Sequence, residues 1–118
     1  MGIEVEATLV DVSADALAGA KKNVERLGVS VKYIEADVLE PIPKLENEKF
    51  DIVISDPPAF IKNRKDIPTG KHAYLKLNTQ AIKWLDGSGL LIACSCSGLL
   101  TEEDLLEALG KAARRPVE

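Results

Sequence analysis

The feature that most constrains this chain is the alternation of two hydrophobic periods along it. Residues 5–11 (VEATLVD), 31–36 (VKYIEA), 50–55 (FDIVIS) and 90–95 (LLIACS) are rich in β-formers and read as strands. Between and after them, apolar residues recur at helical spacing. Ala16, Leu17, Ala20, Val24 and Leu27 form one stripe, opened by Ser13 as a cap and closed by Gly28. Ala73, Tyr74, Leu77, Ala81, Trp84 and Leu85 form a second, predicting a helix over 71–85. Leu105, Leu106, Leu109, Ala112 and Ala113 form a third, with Thr101 and Asp104 at capping-box spacing before it. Residues 38–48 read as a loop or short helical turn, 57–70 as a long loop, and 86–89 (DGSG) as a turn. Strands that alternate with helices in this way require a parallel sheet with right-handed crossovers. The almost wholly apolar third and fourth strands predict burial on both faces.

A chain of 118 residues is sized for one domain with a modest core. Aromatic residues are only 4% of it, so that core must be aliphatic. No apolar run approaches the roughly 20 residues that span a bilayer. The N-terminal stretch MGIEVEATLV carries acids where a signal peptide has bases, which predicts a cytoplasmic protein. A net charge of −4 argues against a general nucleic-acid coat. Lys62, Arg64, Lys65, Lys71 and His72 are a local exception, with only Asp66 against them; such a run is commonly a solvated face. Cys94 and Cys96 are too close to form a useful staple, and with a single histidine no zinc site is expected.

In an open α/β sheet, ligands bind beyond the carboxyl ends of the strands. The expected strands lead into Asp11, Asp37, Asp56 and the segment Ser95-Cys96-Ser97. Taken singly, an aspartate here caps a helix or forms a turn. Three at consecutive strand ends suggest instead a nucleotide site, where one acid takes the ribose hydroxyls and a second reaches an adenine amine. Asp56-Pro57-Pro58 is more specific. The two prolines remove backbone donors and hold the exit extended, so carbonyls and a carboxylate face the crevice as acceptors for an amino-bearing base. The competing reading is a tight strand exit with Phe60 as a core plug.

Together, VDVSADALAGAKKNVERLGV, FDIVISDPPAF and CSCSGLLTEEDL resemble the class I S-adenosylmethionine-dependent methyltransferases, and most closely the large-subunit ribosomal RNA cytosine-C5 methyltransferases. The resemblance runs from Leu9 to about Ala113. It implies an α/β, Rossmann-like, mostly parallel sheet flanked by helices, with S-adenosylmethionine as cofactor and ribosomal RNA as partner. By position, it implies that Asp11 holds the cofactor ribose and Asp37 lies near its adenine. Asp56 and Pro57 line the cofactor side of the motif loop, and Asp56, Pro57 and Pro58 orient the target base. Cys96 matches the nucleophile, assisted by Asp56 on the pyrimidine edge. Phe60, Lys62, Arg64 and Lys65 follow as substrate contacts. Cys94 reads as a small buried hydrophobe, and Tyr74 as either a core residue or a support for the loop.

The chain departs from the family pattern at both ends. It begins, in family terms, at the second strand, without the Gly-rich loop that wraps the methionine part of the cofactor. It stops at KAARRPVE, before the family's further strands. Residues 1–118 are therefore expected to be a partial methyltransferase domain covering the second to fifth family strands. An unpaired central edge predicts a homo-oligomer that covers it. Two other readings compete. One is an amino-group methyltransferase acting on N6 of adenine or N2 of guanine, disfavoured because Ala59 separates Pro58 from Phe60 and because Cys96 has no role in that chemistry. The other is a non-catalytic remnant serving as a binding or oligomerisation module.

Overall fold

The computed structural model describes residues 4–114, which fall into two compact units within Met1–Ile42 and Pro43–Glu118. In the first, β1 (Glu6–Asp11), α1 (Ala14–Val24) and β2 (Ser30–Glu35) form one strand–helix–strand turn, and β1 pairs in parallel with β2. Ser13 caps α1, its Oγ accepting the Ala16 N–H at 3.1 Å, and Lys21 and Lys22 sit in the last turn, where the helix dipole favours cations. A 3-10 turn over Glu25–Leu27 ends at Gly28, whose φ of 64° is the left-handed conformation that glycine tolerates best. Leu27, expected on the apolar stripe of the helix, is exposed.

The second unit contains β3 (Phe50–Ser55), α2 (Ile67–Trp84), β4 (Leu85–Ala93) and α3 (Glu102–Arg114), preceded by a 3-10 turn at Pro43–Leu45. Strands β3 and β4 are parallel, with Ile52 level with Leu90 and Ser55 level with Ala93. The fold class is thus α/β with parallel pairing, as expected. Two boundaries differ from the sequence expectation by more than two residues, and the fourth strand also ends at Ala93 rather than Ser95. Helix α2 begins at Ile67, inside the supposed loop, because Pro68 stands in its first turn, where a missing N–H costs nothing. Strand β4 begins at Leu85, which pairs with Phe50. The DGSG stretch is an irregularity inside β4, with residues 86–89 opposite Asp51 alone. Gly89 is needed there: a Cβ would lie 2.8 Å from the Asp51 carbonyl oxygen.

Helix α2 packs against β3, β4 and α3. Tyr74, Leu77 and Ala81 of α2, Ile61 of the preceding loop, Leu45, and Ala112 of α3 form the buried core. On α3, Leu105 and Leu109 are half-buried, but Leu106 and Ala113 face solvent. Burial of both faces of β3 and β4 is not observed. Ile52, Ile54, Leu90 and Ile92 lie on one face at 58%, 66%, 56% and 42% exposure, because α2 takes the other and no described element of this unit takes theirs. No helix among the described residues is long and apolar enough to cross a membrane.

Candidate active site

The parallel pairing of β3 and β4 brings two exits side by side. Beyond the level pair Ser55 and Ala93, the Cys94 N–H donates to the Ser55 carbonyl at 2.8 Å and carries the ladder one residue further. Asp56-Pro57-Pro58 therefore leaves β3 beside the Ser95-Cys96-Ser97 segment leaving β4. Pro57 is buried, while Asp56 and Pro58 are exposed. The Cys96 thiol is exposed and donates to the Pro57 carbonyl oxygen at 3.4 Å. Cys94 is half-buried, and both thiols are free.

Behind this pair lies a cluster of hydroxyls. Ser95 Oγ donates to Tyr74 Oη at 3.0 Å, and Tyr74 Oη lies 2.8 Å from Ser97 Oγ. Ser97 Oγ also accepts the Ile61 N–H at 3.2 Å, and the Ser97 N–H donates to Ser95 Oγ at 3.3 Å. Tyr74 has no solvent exposure, and Ser97 is buried. The Phe60 ring meets Tyr74 edge to face, with centroids 4.9 Å apart. Gly70, in the first turn of α2, lets Ile61 approach so closely that a Cβ there would collide with the Ile61 side chain.

Of the expected site residues, Asp56, Pro57, Pro58, Phe60 and Cys96 belong to this unit, with the first three and Cys96 on the adjoining exits. Asp11 and Asp37 belong to the first unit. Each makes a local bond: Asp11 Oδ1 accepts the Ser13 N–H at 2.8 Å and Asp37 Oδ1 accepts the Leu39 N–H at 2.9 Å. Both carboxylates are exposed. Lys62, Arg64 and Lys65 are exposed on and just before the 3-10 turn Arg64–Asp66 that leads into α2. Lys71 differs from them. Its ammonium pairs with Asp104 Oδ1 at 3.1 Å, so Asp66 is not the only acid set against the basic run.

Asp104 also closes the predicted capping box of α3. Its N–H donates to Thr101 Oγ1 at 3.0 Å, and its Oδ2 accepts the Thr101 N–H at 3.1 Å. The Thr101 backbone donor, followed by the Lys71 side chain, holds the Asp104 carboxyl below the usual aspartate range. Lys111, one turn on from Glu107, lowers that carboxyl as well.

The family model described as "Methyltransferase small domain" matches residues 2–115. The chain belongs to this methyltransferase family. Membership bears out the resemblance to class I S-adenosylmethionine-dependent methyltransferases. Among curated proteins, this methyltransferase segment is 34% identical over 113 residues to "Ribosomal RNA large subunit methyltransferase I" of Klebsiella pneumoniae strain 342, covering 92% of the segment and 28% of that protein. It is 36% identical over 109 residues to the proteins of the same name from Enterobacter sp. strain 638 and Cronobacter sakazakii, covering 88% of the segment and 28% of each. The methyltransferase segment thus spans just over a quarter of the length of these relatives.

Sequence reasoning placed Ser95 and Ser97 at a strand end without giving them a role, and passed over Gly70 and Asn78. Asn78 is buried on α2, its Nδ2 donating to the Tyr74 carbonyl at 2.9 Å. The available signal was the pair of hydroxyls flanking Cys96, together with polar residues on the inner face of a helix.

Proposed function

We propose that this segment is the catalytic part of an S-adenosylmethionine-dependent RNA methyltransferase that methylates C5 of a cytosine in large-subunit ribosomal RNA, with Cys96 as nucleophile. The observation that carries this reading is the Cys96 thiol 3.4 Å from the Pro57 carbonyl, beside the Asp56-Pro57-Pro58 exit. The relatives, named as ribosomal RNA large subunit methyltransferases, support an RNA substrate. Residues 1–118 correspond to the second to fifth strands of the family fold, and the place of action is the cytoplasm.

Cytosine C5 is a poor nucleophile until a thiolate adds to C6. Cys96 forms that C6–S bond, which makes C5 enamine-like, and Asp56 holds the pyrimidine edge. S-adenosylmethionine, when bound, supplies the electrophilic methyl group that C5 takes up. Loss of the C5 proton to a base then breaks the C6–S bond and returns Cys96 as thiolate. The acids of the first unit suit the cofactor chemically. The Asp11 and Asp37 carboxylates are exposed acceptors steadied by their own backbone N–H bonds, which suits the donors of a ribose diol and an adenine amine. Asp56 and Pro57 form the cofactor side of the loop. Pro58, Phe60, Lys62, Arg64 and Lys65 meet the RNA, the cations at phosphates.

The amino-group reading is weaker. It wants the aromatic directly after the second proline, where Ala59 stands, and it gives Cys96 no role. A second copy of the chain covers the open sheet edge. Light scattering of the 118-residue chain tests that part: a persistent monomer at high concentration counts against it.

The decisive experiment uses the full-length protein that contains this segment, with labelled S-adenosylmethionine and large-subunit ribosomal RNA, followed by nucleoside mass spectrometry. 5-Methylcytidine is expected from the wild type, and its loss in Cys96→Ala with RNA binding retained. N6-methyladenosine or N2-methylguanosine as the product would establish the amino-group reading instead. No methylated nucleoside would favour a binding module.

A further inference from the structure

We infer that the Tyr74 hydroxyl is the positioning group that sets where the Cys96 thiol stands. Among the described residues, Cys96 itself makes one polar contact, the long one to the Pro57 carbonyl. Its two neighbours are held much more firmly. Ser95 and Ser97 both bond the same phenol oxygen, at 3.0 and 2.8 Å, so the backbone is pinned on either side of the cysteine. The order Ser95 to Tyr74 to Ser97 lets the phenol accept one proton and give its own. If both serines donated to the phenol oxygen, the buried phenol hydrogen would be left without an acceptor.

The same hub reaches the other exit. Ser97 Oγ accepts the Ile61 N–H, and the Phe60 ring lies edge-on to the Tyr74 ring. Both sides of the 3.4 Å gap between Cys96 and Pro57 are thereby referred to one side chain on an 18-residue helix. A site mounted on a rigid helix is held more closely than one carried by its own loops. Tyr74 touches no reacting atom in this scheme; it acts through Ser95, Ser97 and Ile61. Its importance for methyl transfer rests on the function proposed above, but the placement of the thiol does not.

The test therefore reads the thiol directly, in the full chain without cofactor or RNA, as the rate of Cys96 alkylation by iodoacetamide. Fragment-ion mass spectrometry separates Cys96 from Cys94. Tyr74→Phe keeps the ring and its contact with Phe60 while removing the hydroxyl. It breaks both bonds to the phenol oxygen and is expected to raise the Cys96 rate by at least about fivefold, the population change that accompanies loss of one neutral hydrogen bond. Ser97→Ala is expected to raise it as well, and the double variant to fall short of the product of the two, because both changes break the Tyr74–Ser97 bond. Leu45→Val weakens the core outside the hydroxyl cluster and is expected to leave the Cys96 rate at the wild-type value. The inference is overturned if Tyr74→Phe and Ser97→Ala leave the rate unchanged, if Leu45→Val raises it equally, or if the two hydroxyl changes multiply. Those outcomes are independent of whether 5-methylcytidine is made, so this inference and the proposed function can fail separately.

Discussion

Cys96 Sγ and the Pro57 carbonyl oxygen, 39 positions apart in sequence, stand 3.4 Å from each other where two parallel strands end. The thiol is exposed there, while Cys94 is half-buried. Limited alkylation of the native chain should therefore modify Cys96 before Cys94, as read by fragment-ion mass spectrometry. Labelling of Cys94 first would contradict the exposure of the two thiols.

Gly70 and Gly19 should respond oppositely to alanine. At Gly70 a Cβ runs into Ile61 and approaches the Phe60 carbonyl oxygen to 3.2 Å, so Gly70→Ala should cost about 1–3 kcal/mol. At Gly19, inside α1, nothing lies within 4 Å of the added atom, and Gly19→Ala should gain about 0.5–1 kcal/mol of helix stability. Denaturant midpoints of the two variants measure both effects.

The lowered Asp104 carboxyl makes a definite pH prediction. A carboxyl ionised more readily in the folded state than in the unfolded one stabilises the fold above the unfolded-state pKa. That contribution disappears as pH falls through the lower folded-state value. The stability difference between wild type and Asp104→Asn should accordingly be constant near neutrality and shrink on acidification below the ordinary aspartate range. High salt should remove mainly the part due to Lys71, because the Thr101 N–H bond is short-ranged.

The basic residues should separate into two groups when RNA binding is titrated against salt by fluorescence anisotropy. Lys62→Gln, Arg64→Gln and Lys65→Gln should each reduce the logarithmic salt slope by roughly 0.7, the value for one single-strand phosphate contact. Lys71→Gln should reduce it less, because Asp104 already neutralises that ammonium. Equal effects at all four positions would mean that the ion pair opens when RNA binds.

The sequence made the local signals readable. Ser13 and the Thr101–Asp104 box cap their helices as their spacing predicts, and β3 has the expected bounds, because caps and two-residue alternation are settled within a few residues. The start of α2 is hidden in the sequence because Pro68 and Gly70 look like loop residues. Pro68 fits a first helical turn, and Gly70 serves a close approach to Ile61 that only the tertiary structure creates. Burial on both faces of β3 and β4 was inferred from composition, but an apolar strand does not say which neighbour covers it. At the site, Asp56, Pro57 and Cys96 were legible as motif residues. Tyr74 was legible as a core residue or a support for the loop, but its hydroxyl partners were not, since Ser95 and Ser97 lie more than twenty positions away.

The irregularity at the start of β4 has a consequence for how this chain can vary in length. Residues 86–89 stand opposite Asp51 alone, while the ladder beyond them is fixed by Ile52 with Leu90 through Ser55 with Ala93. Insertions or deletions between α2 and Leu90 can be taken up in that slack without sliding β4 past β3. The spacing between Asp56 and Cys96 is insulated from such changes. A residue added beyond Leu90 has no comparable slack, and it would turn the apolar side chains of β4 over and carry the cysteine out of line.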